Sequence, residues 1–358
     1  MTTLVVSDLH IGAGHGRARL DDERAVSALA DAAASADRLV LLGDLIELRQ
    51  LPMRDALAAA ARVLPSIVAG MAPGSEVVVL AGNHDHQLLA PWITRAAASG
   101  APAPLAVESA VDWVDGEPLA ALALMLGGGG ARVRAAYPGV WLRDDVFATH
   151  GHYLDAHTTA PGMERLSAGL MGKLLGLPAG ALRSPDHYER VLVPIYAWML
   201  AISERGGPEF DGADGGLSSR ILRRLRAGGV RGRALQAGVE LLARVGAMAG
   251  LGELSAALDE ESLHRAELRA IGRAVAQLRV DARYVIFGHT HRAGPLPGDD
   301  AGLWVTPTGN ELHNSGCWVQ EGAAFMDPQR AATSPYRAGF AVVLEEHGPP
   351  RLLNLLDA

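Results

Sequence analysis

Cysteine is almost missing from this chain, with Cys317 the one example in 358 residues. An internal disulfide is therefore impossible, and so is a Cys-x-x-Cys zinc or redox site. Such scarcity fits a reducing compartment. A basic excess is missing too: 40 acidic side chains outnumber 32 basic ones, for a formal charge of −8. That is the wrong sign for a protein whose whole surface tracks nucleic acid. Long apolar runs are also lacking. The strongest, Val191 to Ser203, falls short of the roughly 18 residues needed to cross a bilayer and predicts a buried or interfacial helix. The start, from Met1 to Asp8, carries no basic leader, and Asp8 interrupts its apolar run before a signal-peptide core could form. The expected location is the cytoplasm. With 49% hydrophobic and 20% charged residues, the chain can bury a large core as one domain, or as one domain with an insertion.

What is present is a series of short, β-branched apolar runs that stop abruptly at polar residues. Leu4 to Val6 precedes Asp8, Leu39 to Leu42 precedes Gly43-Asp44, and Val77 to Leu80 precedes Gly82-Asn83-His84-Asp85. Val146-Phe147 precedes His150, and Tyr284 to Phe287 precedes Gly288-His289-Thr290-His291. Runs of this length with little alternation predict strands buried on both faces. Ala-rich stretches with helical spacing, Asp22 to Ala36 and Arg54 to Gly70, separate the first three. Strand alternating with helix implies βαβ units and a largely parallel sheet, whose ligands collect at the carboxyl ends of the strands. Every polar cluster sits there.

Leu303 to Thr306, Cys317 to Val319, Phe340 to Glu345 and Leu352 to Leu355 predict further strands, forming a second sheet that faces the first. Between them and the early strands lies a helical insertion. Its candidate helices span Met163 to Leu175, His187 to Arg205, Leu217 to Met248 and Leu254 to Leu278. The predicted division is a core of residues 1–153 and 281–358 with an insertion of residues 154–280, which serves either as a cap over the site or as a structural elaboration. The run Gly127 to Gly130 reads as a surface loop, since no P-loop lysine follows it.

The strand ends deliver Asp8, His10, Asp44, Asn83, His84, His150, His289 and His291. Singly, each reads as a helix cap or a satisfied polar residue. Together they place carboxylates, imidazoles and an amide at one sheet edge, a costly arrangement unless cations compensate it. Eight donors exceed what one tetrahedral zinc needs and suit two cations that share a carboxylate. Asp8 and His10, like His289 and His291, would project from one side of an extended segment.

These five segments, Asp8-Leu9-His10, Gly43-Asp44, Gly82-Asn83-His84-Asp85, His150 and Gly288-His289-Thr290-His291, resemble in order the motifs of the calcineurin-like metallophosphoesterase superfamily. The resemblance covers about residues 1 to 150 and 281 to 325. It implies a four-layer α/β/β/α sandwich of two mixed sheets, with the helical insertion as a possible cap. It further implies that Asp8, His10 and His291 bind one metal, that Asn83, His150 and His289 bind a second, and that Asp44 bridges them. His84 would be catalytic, oriented and charged by Asp85, assisting the leaving group while a metal-bridging hydroxide attacks phosphorus. Nitrogen and oxygen donors without sulfur suit two divalent ions, with manganese the first choice over iron, zinc or cobalt.

The implied reaction is hydrolysis of a phosphoester or pyrophosphate bond in a small phosphorylated substrate, nucleotide- or lipid-linked substrates included. Gly43 to Glu47 and the insertion after His150 are similar to the UDP-2,3-diacylglucosamine pyrophosphatase branch. That branch often carries arginine where this chain has His84, and its cap is shorter. Rival readings are a nuclease or protein phosphatase on the same metal centre, and a non-catalytic metal-binding scaffold. General nucleic-acid binding is not expected.

Around this set, His15 and Arg17 are candidate substrate contacts, with Asn83 also near the substrate; His152 is a candidate substrate or metal contact, with a place behind the ligands or at the surface as the favoured alternative. The loop holding His15, Arg17 and Arg19 reads equally as a cap for the next helix. Glu47 is placed to support the ligands or pair with Arg49. Asn310, His313 and Asn314 read as structural. The arginines at 220, 223, 224, 226, 231 and 233 read as a solvated helix face, with an anionic substrate or membrane surface as the second reading. The apolar stripe from Met163 to Leu175 reads as core, with a lipid-tail groove second.

Overall fold

The computed structural model describes residues 1–14, 16–98, 100, 103–158, 179–204, 260–320 and 332–357. It divides into two compact units, Met1–His152 with Asp281–Val305 and Gly309–Ala358, and Tyr153–Val280 with Thr306–Thr308.

The first unit is a mixed α/β fold. Its opening strands β1 (Thr3–Val6), β2 (Arg38–Leu42) and β3 (Glu76–Leu80) pair in parallel, with Val5 opposite Val40 and Val40 opposite Val78. Parallel neighbours need a crossover. Helices α1 (Glu23–Ala34) and α2 (Met53–Val68) supply the crossovers where the Ala-rich periodicity predicts them. Asp22 caps α1 by accepting from the Arg24 N–H at 3.0 Å and pairs with Arg19. Helices α3 (Ala90–Ala98) and α4 (Pro118–Gly127) flank strand β4 (Glu108–Val111). The glycines after α4 close a turn through the Gly130 N–H to the Gly127 carbonyl.

Strand β5 (Arg132–Arg143) is long enough to serve two neighbourhoods. Its first half pairs with β3 and β4, and its second half pairs with β6 (Val146–Thr149), with a register shift between Trp141 and Arg143. Beyond β6 follow β7 (Tyr284–Phe287) and β8 (Glu311–Asn314), both parallel. Through β5 the described strands form one hydrogen-bonded path, β10-β9-β1-β2-β3-β5-β6-β7-β8, with β4 beside β5.

The period-two alternation of side chains sorts the core. Leu4, Leu39, Leu41, Val77 and Val79 face Leu29 of α1, Leu64 and Ile67 of α2, and Leu122 of α4. Their alternates Val5, Val40, Leu42, Val78 and Leu80 share a second cluster with Val146, Ala148, Tyr284 and Ile286.

Three expectations for the last part of the chain are corrected. Strands β9 (Phe340–Leu344) and β10 (Arg351–Asn354) do not belong to a facing sheet: β9 pairs antiparallel with β1, Val342 opposite Val5, and covers an edge that would otherwise expose unpaired backbone. Ala301–Trp304, within the predicted strand at 303–306, is a short 3-10 helix capped by Asp300. Cys317 to Val319 forms only a bridge from Val319 to Ala18, while the Trp318 N–H is drawn to the Asp8 carbonyl. Strand β8, which sequence reading missed, has the sequence Glu-Leu-His-Asn and lacks the β-branched signal.

In the second unit, helices α5 (Pro185–Glu204) and α6 (Glu260–Gln277) contribute Tyr188, Leu192, Ile195 and Ala274 to a cluster with Tyr153 and Leu182. The Tyr153 and Tyr188 rings stack at 4.5 Å, and His157 Nε2 lies 2.6 Å from the Tyr188 hydroxyl. The predicted helices at 163–175 and 217–248, and the arginines from 220 to 233, lie outside the described residues. None of the described helices is long and apolar enough to cross a membrane.

Leu29→Ala should cost about 2–5 kcal/mol, because Leu29 is fully buried between helix and sheet. The exposed Leu124→Ala should cost under about 0.5 kcal/mol. Urea denaturation of both variants checks the contrast, and equal losses would contradict the packing described.

Candidate metal centre

The site is assembled at the carboxyl ends of β1, β2, β3, β6 and β7, where each chain segment leaves the sheet. Asp8, His10, Asp44, His289 and His291 all have φ between 42° and 68°. Arg279 is the remaining non-glycine residue with positive φ among those described. This left-handed region is uncommon for residues with a Cβ and concentrates at functional sites. It also corrects one expectation: the Asp8–His10 and His289–His291 pairs do not lie on extended segments, and tight turns aim their side chains inward. Glycine makes room for those turns. A Cβ on Gly43, whose φ is +87°, would lie 2.5 Å from the His150 ring, and one on Gly82 would lie 2.7 Å from His150 Nε2.

Two donor groups result. In the first, His10 Nε2 and His291 Nε2 are 3.2 Å apart, with Asp8 Oδ1 3.2 Å from the latter and 3.9 Å from the former. In the second, Asn83 Oδ1 lies 3.2 Å from His150 Nε2 and 3.0 Å from His289 Nδ1. Asp44 Oδ2 faces both groups, 3.6 Å from His10 Nε2 and 3.3 Å from His150 Nε2. Its other oxygen accepts the His84 main-chain N–H at 2.8 Å.

The surroundings orient the donors. His150 Nδ1 lies 2.9 Å from the Leu42 carbonyl, which requires a proton on that nitrogen and leaves Nε2 as the nitrogen that faces the donor group. His10 Nδ1 is 3.1 Å from Glu47 Oε2, with the same consequence. Asp8 Oδ2 accepts from the Ser7 hydroxyl at 2.5 Å and from the His289 N–H at 3.0 Å. Asp8 Oδ1, although buried, accepts no hydrogen bond. A buried carboxylate oxygen facing two imidazole nitrogens without a donor is what a cation satisfies. The residues present fit a pair of divalent ions.

Electrostatics agree. Burial would raise the Asp8 carboxyl, but the His150 and His291 imidazoles bring it down to about 2. Burial opposes ionisation of Asp44 as well, and His150 and His84 hold it well below the usual range. Burial disfavours a charged His150, yet Asp44 and Asp8 push it up to about 9. Where no cation is bound, the carboxylates draw a proton onto this imidazole, so protons and metals compete for the same position.

His84 stands at the exposed side of the cluster, its side chain 23% accessible, edge-on to His10 at 4.5 Å. Its Nδ1 lies 3.0 Å from both oxygens of Glu47. Burial, followed by the Arg49 charge, lowers its pKa. Glu47 itself is buried, which would raise its carboxyl, but His84 and His10 hold it well below the usual range. Donor atoms of His10, Asp44 and His84 also lie within 4.8 Å of one another, as do those of Asp8, His10 and His291, and of Asp44, His150 and His289.

The expected partnership of Asp85 with His84 is corrected. Asp85 accepts from the Leu45 and Gly82 N–H groups, each at 2.7 Å, and ties together the two loops that carry Asp44 and Asn83. Burial and the Asp44 charge push its carboxyl up to about 6. Glu47 takes the expected place because the turn after Asp44 brings it under both imidazoles.

His152 is corrected too. It is 1% exposed, with Nε2 3.1 Å from the Tyr137 hydroxyl and its ring 5.6 Å from that of His150. This buries it behind the metal-facing donors instead of at a surface open to substrate. Arg17 is fixed through its backbone to Gly14 and Gln320, and His15 lies outside the described residues. Sequence reading missed Ser7 and Ser315, whose hydroxyls lie 2.8 Å apart behind Asp8. Asn314, read as structural, donates to the Gly288 carbonyl and Thr290 hydroxyl and so braces the loop carrying His289 and His291.

A mixed α/β sheet brings carboxylates, an amide and imidazoles together at its strand ends, a donor set suited to divalent cations. Residues 1–168 match the family model for calcineurin-like phosphoesterases. His289 and His291 lie beyond the matched range, and the fold brings them to it. None of the curated proteins matches the chain. One similar solved structure, a dimetal phosphatase from Danio rerio, shares 13% identity over 99% of each chain with a TM-score of 0.34, a likeness too remote to carry an argument.

Glu47→Gln keeps the side-chain volume but weakens the acceptor for His10 and His84. Metal affinity should fall about 10- to 100-fold, measured by titrating the metal-free protein with Mn²⁺. An unchanged affinity would remove the supporting role assigned to Glu47.

Proposed function

We propose that this chain hydrolyses a phosphoester or pyrophosphate bond in a small phosphorylated molecule, with Asp8, His10 and His291 holding one divalent cation and Asn83, His150 and His289 a second. Asp44 joins the two groups. The observation that carries this reading is the position of Asp44 Oδ2, within 3.6 Å of a nitrogen from each group. Cations in these positions lower the pKa of a water and neutralise phosphoryl oxygens.

The chain's own residues do the rest. Glu47 holds His84 through Nδ1, fixing the ring so that Nε2 is the nitrogen available to a substrate, and the partly exposed ring is suited to hydrogen-bond a phosphoryl oxygen and help the leaving oxygen depart. Asp85 and Ser7 keep the loops and the Asp8 carboxylate in register. Nitrogen and oxygen donors without sulfur favour manganese as the first ion to test, with iron, zinc and cobalt next.

The partners in this reading are small phosphorylated molecules, nucleotide- or lipid-linked ones included, with membrane contact by residues 154–280 as a further possibility. The four-layer sandwich belongs to this proposal as well, and the two apolar clusters on opposite faces of β1 to β3 support it.

Asp44→Ala should abolish both hydrolysis and stoichiometric Mn²⁺ binding. His84→Ala should lower kcat about 10²- to 10⁴-fold while leaving metal content largely intact. Elemental analysis and turnover of aryl phosphates, phosphodiesters and nucleotide diphosphates decide it. Full activity in either variant would exclude the mechanism.

A further inference from the structure

Of the two imidazoles in the first donor group, His291 is the more accessible, 19% against 3% for His10. Enclosure by neighbours therefore fixes its ring less, and its backbone must do more. That backbone is left-handed, with φ 61°, a conformation that persists only where the surroundings over-determine it. On the amino side Asn314 supplies the constraint, through the Gly288 carbonyl and the Thr290 hydroxyl. The carboxyl side is held by a different device.

Arg292, the next residue, lays its guanidinium on Asp299 as a fork: Nη2 donates to Oδ1 at 2.7 Å and Nη1 to Oδ2 at 3.1 Å. Nη1 also reaches the Ala293 carbonyl at 3.3 Å, and the guanidinium carbon lies 5.7 Å from the centre of the Trp304 ring. Asp299 Oδ2 accepts the Leu296 N–H at 2.8 Å as well, and the Asp299 N–H returns to the Leu296 carbonyl at 3.0 Å. The segment 292–299 is thereby closed on itself. It is also stitched to β8, since Gly294 and Asn314 exchange both main-chain hydrogen bonds, at 2.7 and 3.1 Å. A Cβ on Gly294 would collide with the Trp304 indole.

Both members of the pair are shielded, Arg292 at 12% and Asp299 at 15% accessibility. A forked pair is directional, and removing one partner leaves a shielded charge that regains hydration by moving. Arg292 shares a peptide with His291, so its movement disturbs the turn that aims that ring. His289 is insulated from this, because its own N–H is anchored on Asp8 and Asn314 holds Thr290 between the two histidines.

We propose that Asp299 is a positioning residue for the metal centre: its fork on Arg292 fixes the turn that aims His291, and so sets the affinity of the ion that Asp8, His10 and His291 would hold. It does this without being one of that ion's ligands. The proposal rests on the two-ion reading above and adds a remote carboxylate on which one of the two positions depends.

The test titrates the metal-free full chain with Mn²⁺ by calorimetry, with electron paramagnetic resonance to count bound ions. The parent should take up two. Asp299→Asn, which keeps the shape and removes the charge, should weaken one of them about 10- to 100-fold and leave the other within about twofold. Arg292→Lys, which keeps a charge without the fork, should weaken the same ion several-fold. On a His291→Ala background Asp299→Asn should have almost no further effect, because the coupling runs through that imidazole. Glu76→Gln breaks a similarly shielded pair with Arg38 at the start of β3 and should change neither affinity. Should Asp299→Asn unfold earlier than the parent in a thermal scan, Arg292→Lys carries the comparison.

Equal weakening of both ions, weakening of neither, or a loss that persists in full on the His291→Ala background would each overturn the proposal. A parent protein that binds fewer than two ions would instead overturn the two-ion reading. The two failures are thereby separable.

Discussion

Four carboxyl groups, Asp8, Asp44, Glu47 and Asp85, are each no more than 2% exposed and meet at one end of a sheet. Removing a carboxylate from water costs several kcal/mol unless charge or donors replace the hydration. The rest of the site can be read as the replacement. Asp85 takes main-chain N–H donors, Glu47 takes two imidazoles, and Asp8 gives one oxygen to Ser7 and the His289 N–H. What stays uncompensated is Asp8 Oδ1, together with the Asp44 oxygen facing two imidazole nitrogens. Protein groups thus settle the periphery and leave the deficit at the centre, where imidazole lone pairs also converge.

That arrangement dictates the backbone. Inward aim at a strand end requires the chain to turn within one or two residues, and five of the candidate ligands accept left-handed φ angles to do so. The cost of those conformations, of order 1–3 kcal/mol each, has to be offset by the sheet that anchors them. The anchor is well made, since β1, β2 and β3 are buried on both faces. Rigid strands and strained turns are two sides of one design.

Much of this was legible in the sequence because buried parallel strands announce themselves as unbroken Val and Leu runs, and each run ends on a chemically unusual residue. Asp8, Asp44, Asn83, His150, His289 and His291 could be read that way. The choice between Asp85 and Glu47 as the partner of His84 could not. Sequence adjacency favoured Asp85, but a turn reverses the chain after Asp44 and brings Glu47 under the ring, while backbone donors capture Asp85. His152 misled for a similar reason: its neighbour His150 faces the centre, and the next alternate position points behind it, onto Tyr137. The strand Glu311–Asn314 carried no apolar signature, because its Asn314 is committed to bracing a loop. Ser7 is an ordinary residue whose importance comes only from standing behind Asp8.

The donor pair His10 and His291 is separated by 281 residues, so this half of the centre requires β1 and β7 to be brought together across the sheet before its donors can meet. A nascent chain that has completed β1 to β6 already carries most of the buried acidic groups without the last two imidazoles. Without β7 the buried acidic groups would lack both of those imidazoles, so the strand that carries them compensates the charge of the others.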